Sequence, residues 1–355
     1  MSEFTLNMNK QASIVRKYFG IIITVMFISN GCQSVDKEDA ANFFLKGNVQ
    51  LSQKNYEQAL RYYDEALAKN RDFPDAHLNK GLVLLELQRP ADALQSLTEA
   101  IESDELFYPA YLARAEVSAR LRQWDEAFND LATIRKSYAD SSQYFLIHGN
   151  VMVGKNNQSA ALADFDRALQ LQPKNTKALV NRGAVYFDQK QYPAAENDFE
   201  TALNIDPKQP EALNNLGLLA ARNKQWTMAV RYLDRALSIN PVDPLALNNK
   251  GFVLLNTGGL GEAAQLINRS LQQMPDNGYA LRNLGLYYFK NNELEKSLAN
   301  FDKALELAQP VEKLHGHAGE AYFQSGNRKK ACEIWKIGVV LNDSLAEDSY
   351  NAKCR

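Results

Sequence analysis

One glycine recurs along this chain at a fixed interval. Gly47, Gly81, Gly149, Gly183, Gly217, Gly251, Gly285 and Gly319 stand 34 residues apart, with one double step between Gly81 and Gly149 that Ala115 fills in register. A period of this length belongs to stacked-repeat architectures, where each unit buries its apolar face against its neighbours. A single globular core is not what such a chain builds.

The remaining columns of the repeat describe a helix. Twelve residues after each glycine position stands a small residue: Ala59, Ala93, Ala127, Ala161, Ala195, Ala229, Ala263, Ser297 and Ala331. Four further on comes a bulky one: Tyr63, Leu97, Leu131, Phe165, Phe199, Leu233, Ile267, Phe301 and Trp335. Residues at i and i+4 share a helical face, so the small one admits a neighbouring helix and the large one fills the groove beside it. Pro173, Pro207, Pro241 and Pro275 then end successive repeats, because proline lacks the N–H that a continuing helix needs.

The segment Thr176-Lys-Ala-Leu-Val-Asn-Arg-Gly183, with Tyr186, Tyr192, Ala195, Phe199, Ala202 and Pro207, resembles the tetratricopeptide repeat (TPR) family almost position by position; Leu179 departs, where the family often has tryptophan. The resemblance implies an all-α fold: an α-solenoid of about nine helix-turn-helix repeats over residues 40–345, forming a right-handed superhelix. Weaker repeats are the third, seventh and ninth, where Ala115, Ser270 and Gly338 replace the expected residues. Ser344-Leu-Ala-Glu347 reads as a capping box. It predicts a short C-terminal capping helix, assigned to residues 346–355, over the apolar end of the stack.

Residues 1–31 read as a signal peptide. Lys10, Arg16 and Lys17 precede an apolar stretch, Tyr18–Ile28, that is too short to span a bilayer. Gly31-Cys32 resembles a bacterial lipoprotein signal, which implies acylation of Cys32, a tether over residues 32–39 and a lipid anchor in a diderm cell envelope, at the outer membrane. Ser29 and Gly31 also suit ordinary signal peptidase, so a soluble periplasmic or secreted chain is the alternative. With Cys32 lipidated, two cysteines remain, and the cap over the ninth repeat could bring Cys332 and Cys354 within disulfide reach, two inert thiols being the alternative.

In the family, the first helix of each repeat lines a concave groove. One groove column carries Asn79, Asn181, Asn215, Asn249 and Asn283, the last four from consecutive repeats. Such a column could hold the backbone of an extended peptide, since an amide both donates and accepts; asparagine is also frequent there for structural reasons. Beside it the resemblance places Phe187, Leu218, Phe252, Leu255, Leu286, Phe289 and Phe323, a row of apolar residues expected to meet a partner. The family's chaperone clamp is not matched, because Phe44 and Ala113 stand where it needs basic residues.

No catalytic, cofactor or metal motif is present in the sequence. His77 and His148 sit at packing positions, and His315 and His317, two apart, point to different faces. Residues 32–355 carry a net charge of −4, so no basic stripe for nucleic acid is expected. The expectation is a non-catalytic interaction scaffold, a membrane-tethered adaptor that holds a protein or peptide partner in its groove. A chaperone-like peptide receptor and an accessory subunit of an envelope enzyme are the alternatives.

Overall fold

A computed structural model describes residues 36–307 and 310–354. The segment read as a signal peptide, Cys32 and the start of the expected tether lie outside them. The described residues form helices joined by turns, with no strand among them. They fall into two compact units, divided between Leu171 and Gln172.

Residues 36–171 hold four helical hairpins: α1 (36–52) with α2 (Tyr56–Lys69), α3 (Pro74–Glu86) with α4 (Pro90–Ser103), α5 (Tyr108–Arg120) with α6 (Trp124–Ile134), and α7 (Ser142–Gly154) with α8 (Gln158–Leu171). The chain is already helical at Asp36. Asp36 to Asp39, expected in an extended tether, therefore belong to α1, and Ala40 is already buried.

Residues 172–355 hold five hairpins and a terminal helix. These are α9 (Thr176–Asp188) with α10 (Tyr192–Ile205), α11 (Pro210–Arg222) with α12 (Trp226–Ile239), α13 (Pro244–Thr257) with α14 (Leu260–Gln273), α15 (Gly278–Lys290) with α16 (Leu294–Glu306), and α17 (Leu314–Gln324) with α18 (Arg328–Val340). The last, α19, spans Ser344–Lys353. Pro210 and Pro244 open their helices at the first position, where the missing N–H costs nothing. Asn175 and Asn277 cap α9 and α15, accepting from the N–H groups of Ala178 and Ala280.

The glycine column is explained by close approach within each hairpin. A β-carbon added at Gly183 would lie 2.7 Å from the ring of Phe199, and one at Gly285 2.7 Å from the ring of Phe301. Both rings are fully buried, as are Phe165 and Trp335 at the same position of their repeats. The bulky residue of the second helix thus lies against the bare backbone of the first.

A second column emerges that the sequence does not advertise. Lys54, Gln88, Arg122, Asn156, Lys190, Lys224, Gly258, Asn292 and Gly326, each 34 from the next, all have positive φ. Each stands at the turn within a hairpin. The N–H of the following residue closes the helix end, as from Arg89 to the Leu84 carbonyl and from Gln191 to that of Tyr186, a Schellman-type stop.

At the C-terminus α19 packs on α17 and α18, as expected of a cap. Its capping residue is Asp343, one place before the expected Ser344. The carboxylate accepts from the backbone N–H groups of Leu345 and Ala346 and, across the interface, of Gly316. Gly338 has no side chain because Ala346 rests on it. Cys332 of α18 is joined to Cys354, just past α19, by a disulfide with Cα atoms 5.8 Å apart.

Candidate interaction face

In residues 172–355 the first helices α9, α11, α13, α15 and α17 lie side by side. The expected asparagine column divides on this face. Asn283 is fully buried: its amide donates to Asn248 Oδ1 at 2.8 Å, and its own Oδ1 accepts from Arg282. Asn249 is half-buried and donates to Asn214 Oδ1 at 2.9 Å. These two amides lock one repeat to the preceding one, and Asn283 is not available to a partner. Asn181 is half-buried and already has an interaction, whereas Asn215 is half-buried with no hydrogen-bonded partner among the described residues. In the other unit Asn79 plays the locking part, donating to Asn48 Oδ1, which also accepts from Tyr63. Burial pushes the Tyr63 hydroxyl up to about 12, with the Asn79 hydrogen bond acting the other way.

The apolar row divides as well. Leu255 is buried in the core beside Ile267 and Leu284, and so leaves the row. Phe323 packs against Trp335 at 5.7 Å, and the Lys353 ammonium lies 4.6 Å over its ring, so α19 covers it. Phe187 stacks edge-on with Tyr192. Leu218, Phe252, Leu286 and Phe289 stay partly exposed, Leu286 and Phe289 while also packing against the core cluster that holds Trp335. Two residues absent from the expected row are more exposed than any of these: Leu245 at 49% and Tyr279 at 43%.

Arg282 is the unanticipated element. It is 8% exposed, its guanidinium 5.5 Å from the centre of the Phe252 ring and 5.2 Å from that of Tyr279. Desolvation pulls its pKa below the ordinary arginine value. Elsewhere half-buried arginines meet buried acids in bidentate pairs, Arg114 with Asp130 and Arg182 with Asp198. Among the described residues no carboxylate touches Arg282. Near it, burial first and the Arg282 charge second push His317 down to about 4, so its imidazole is neutral at pH 7. A departure from the column would have revealed this site: 34 residues apart stand Val180, Asn214, Asn248 and then a charge.

Among the described residues no three His, Cys, Asp or Glu side chains converge as metal ligands. His148 pairs with Asp164 at 2.6 Å, and His77 contacts the Arg71 carbonyl and Glu99.

Comparison with known proteins agrees with this geometry. The family described as tetratricopeptide repeat matches residues 44–106, 83–141 and 249–312, and two further TPR families match 183–224 and 210–241. The chain is a tetratricopeptide-repeat protein. TPR proteins act as protein-interaction scaffolds, and the TPR fold is typically non-catalytic. Among solved structures, a chain of the APC/C hetero-tetramer Cut9–Hcn1 aligns with a TM-score of 0.65 at 16% identity, covering 89% of this chain and 76% of that one. A DnaJ homolog subfamily C member 7 homolog from Schizosaccharomyces pombe is 32% identical over 24% of this TPR chain and 19% of its own length. The mitochondrial import receptor subunit TOM70 of Rattus norvegicus is 28% identical over 28% of this chain and 17% of its own. The TPR chain thus spans about a fifth of the length of these curated relatives.

Proposed function

We propose that this TPR protein is a membrane-tethered adaptor whose first-helix face, in residues 172–355, holds an extended segment of a partner protein. The observation that carries the reading is the set of apolar side chains open to water on these first helices: Leu245 and Tyr279 exposed, Leu218, Phe252, Leu286 and Phe289 partly exposed. Grouped apolar residues facing water are characteristic of docking surfaces. The tether rests on Gly31-Cys32 behind the short apolar stretch, with lipid on Cys32 anchoring the chain to the cell envelope.

A photo-crosslinking residue placed at Leu245 or Tyr279 tests the face. The expected result is one discrete adduct from envelope extracts at either position, and none from the same residue at Met228, exposed on α12. Equal labelling at all three would refute it. For the tether, Cys32→Ser is expected to move the protein from the membrane to the soluble fraction, since two or three acyl chains anchor far more firmly than one. Unchanged membrane association would rule lipidation out. The similarity to a DnaJ homolog and to an import receptor subunit favours a second reading, a peptide receptor of broad specificity. Many adducts rather than one would select it.

A further inference from the structure

From the isolation of Arg282 we infer that the first-helix face of residues 172–355 recognises an acidic side chain, an aspartate or glutamate set between apolar residues of an extended partner segment. The inference rests on the interaction reading above and gives it a chemistry.

A buried charge is kept only where something compensates it. Among the described residues, Arg282 makes three hydrogen bonds. Nε and Nη2 donate to Asn283 Oδ1 at 3.1 and 2.8 Å, and Nη1 donates to the Glu312 carbonyl at 2.7 Å. A guanidinium has five N–H groups. One on Nη1 and one on Nη2 are therefore left without an acceptor.

The chain's own acids within electrostatic reach are Glu312 and Asp343, and each is turned elsewhere. Glu312 reaches Arg222 at 4.0 Å. Asp343 accepts from the N–H groups of Gly316, Leu345 and Ala346.

Beyond those two acids the surroundings add positive charge. His317 feels Arg282, Lys313 and Lys290, all opposing its protonation, with Asp343 as the single opposite influence. Beside the cation lie the faces of Phe252 and Tyr279, the latter itself exposed. A carboxylate meeting the two free N–H groups supplies the missing counter-charge in a site already poor in water, and its apolar neighbours cover the aromatic walls. Charge-assisted bonds of this kind are about twice as strong as neutral ones.

The test uses the full-length chain and a bead library of randomised nonapeptides, N-acetylated and C-amidated so that no chain terminus carries charge. Beads that bind the labelled protein are sequenced, and the best ligand is resynthesised as Glu and Gln twins. The expected result is enrichment of Asp or Glu at one position between apolar residues. The Glu twin should then bind about tenfold or more tightly than the Gln twin, the scale of a hydrogen bond to a charged group. In Arg282→Gln that ratio should fall to about one while the Gln twin binds unchanged. If Arg282→Gln loses its helical circular dichroism, Arg282→Lys serves instead and should narrow the ratio.

Apolar enrichment without an acid would overturn the inference and leave the docking face standing. A ratio that persists in the variant would place the acid elsewhere and also overturn it, as would a free-acid Gln peptide that binds as well as the amidated Glu twin. No bound beads at all would overturn both the inference and the docking reading.

Discussion

Asn283 and Asn215 occupy the same column of successive first-helix positions, two repeats apart, and do different things. Asn283 is fully buried between Asn248 and Arg282, so its truncation strands two polar partners in the interior. Asn283→Ala is expected to cost about 2 kcal/mol, in the range for a buried group left unsatisfied. Asn215→Ala, at a half-buried amide with no partner, should cost under about 0.5 kcal/mol. Urea unfolding of the two variants side by side checks this; equal losses would show that the lock is not what holds Asn283. The sequence presents both as identical letters in one register, and only the packing separates them. His317 carries a pH signature of its own. Its folded pKa is lowered to about 4, against about 6.5 when unfolded. Between those values the unfolded chain binds more protons, so this residue's contribution is full above pH 6.5 and is lost as pH falls toward 4. Its size is about 3 kcal/mol at most. His317→Gln should therefore narrow the stability difference between pH 7 and pH 4.5; an unchanged difference would mean that other groups set it.

Within each hairpin the turn stores a cost. Seven of the nine positive-φ turn positions carry side chains, among them Lys54, Lys190 and Lys224. A left-handed residue with a β-carbon is strained by roughly 1–2 kcal/mol, part of which glycine gives back as unfolded-chain entropy. Replacing all three lysines by glycine is expected to stabilise the protein by about 2 kcal/mol, since the three turns belong to separate hairpins. A lower urea midpoint in the triple variant would contradict the argument. Nothing in the letters Lys, Arg and Gln marks a left-handed turn, which is why this column is silent in the sequence while the glycine column is not. The cap is another such case. The capping-box pattern located α19 but put its cap on Ser344, whereas Asp343 can cap α19 and bind Gly316 together, a tertiary contact that no local pattern encodes. The disulfide closes a separation of 22 residues, worth about 3 kcal/mol in the chain-entropy model. Cys354→Ser should lower resistance to trypsin at Lys353 first, with the remaining helical signal retained.

At the scale of the molecule, periodicity made the hairpins legible and said little about the binding face. Each repeat must pack on its neighbours, so selection for that packing writes the same small and large residues every 34 positions. The candidate site has no such periodicity. Arg282 matters because, among the described residues, no acid pairs with it, and that is visible only once Glu312 and Asp343 are seen turned to other partners. All parts of the proposed site, with the disulfide and the cap, lie within residues 172–355. In a repeat stack, stability is close to a sum of repeat and nearest-neighbour terms, so a run of five repeats with its own cap meets the requirements for folding alone. Expressed by itself, this segment is expected to be helical, to melt cooperatively, and to bind the acidic peptide selected by the full chain within about threefold of the full-length affinity, a difference under 1 kcal/mol. Helical circular dichroism and fluorescence anisotropy measure the two properties separately. A folded segment that no longer binds would extend the site into residues 36–171, and a segment without helical signal would show that the N-terminal repeats are needed to hold the stack together.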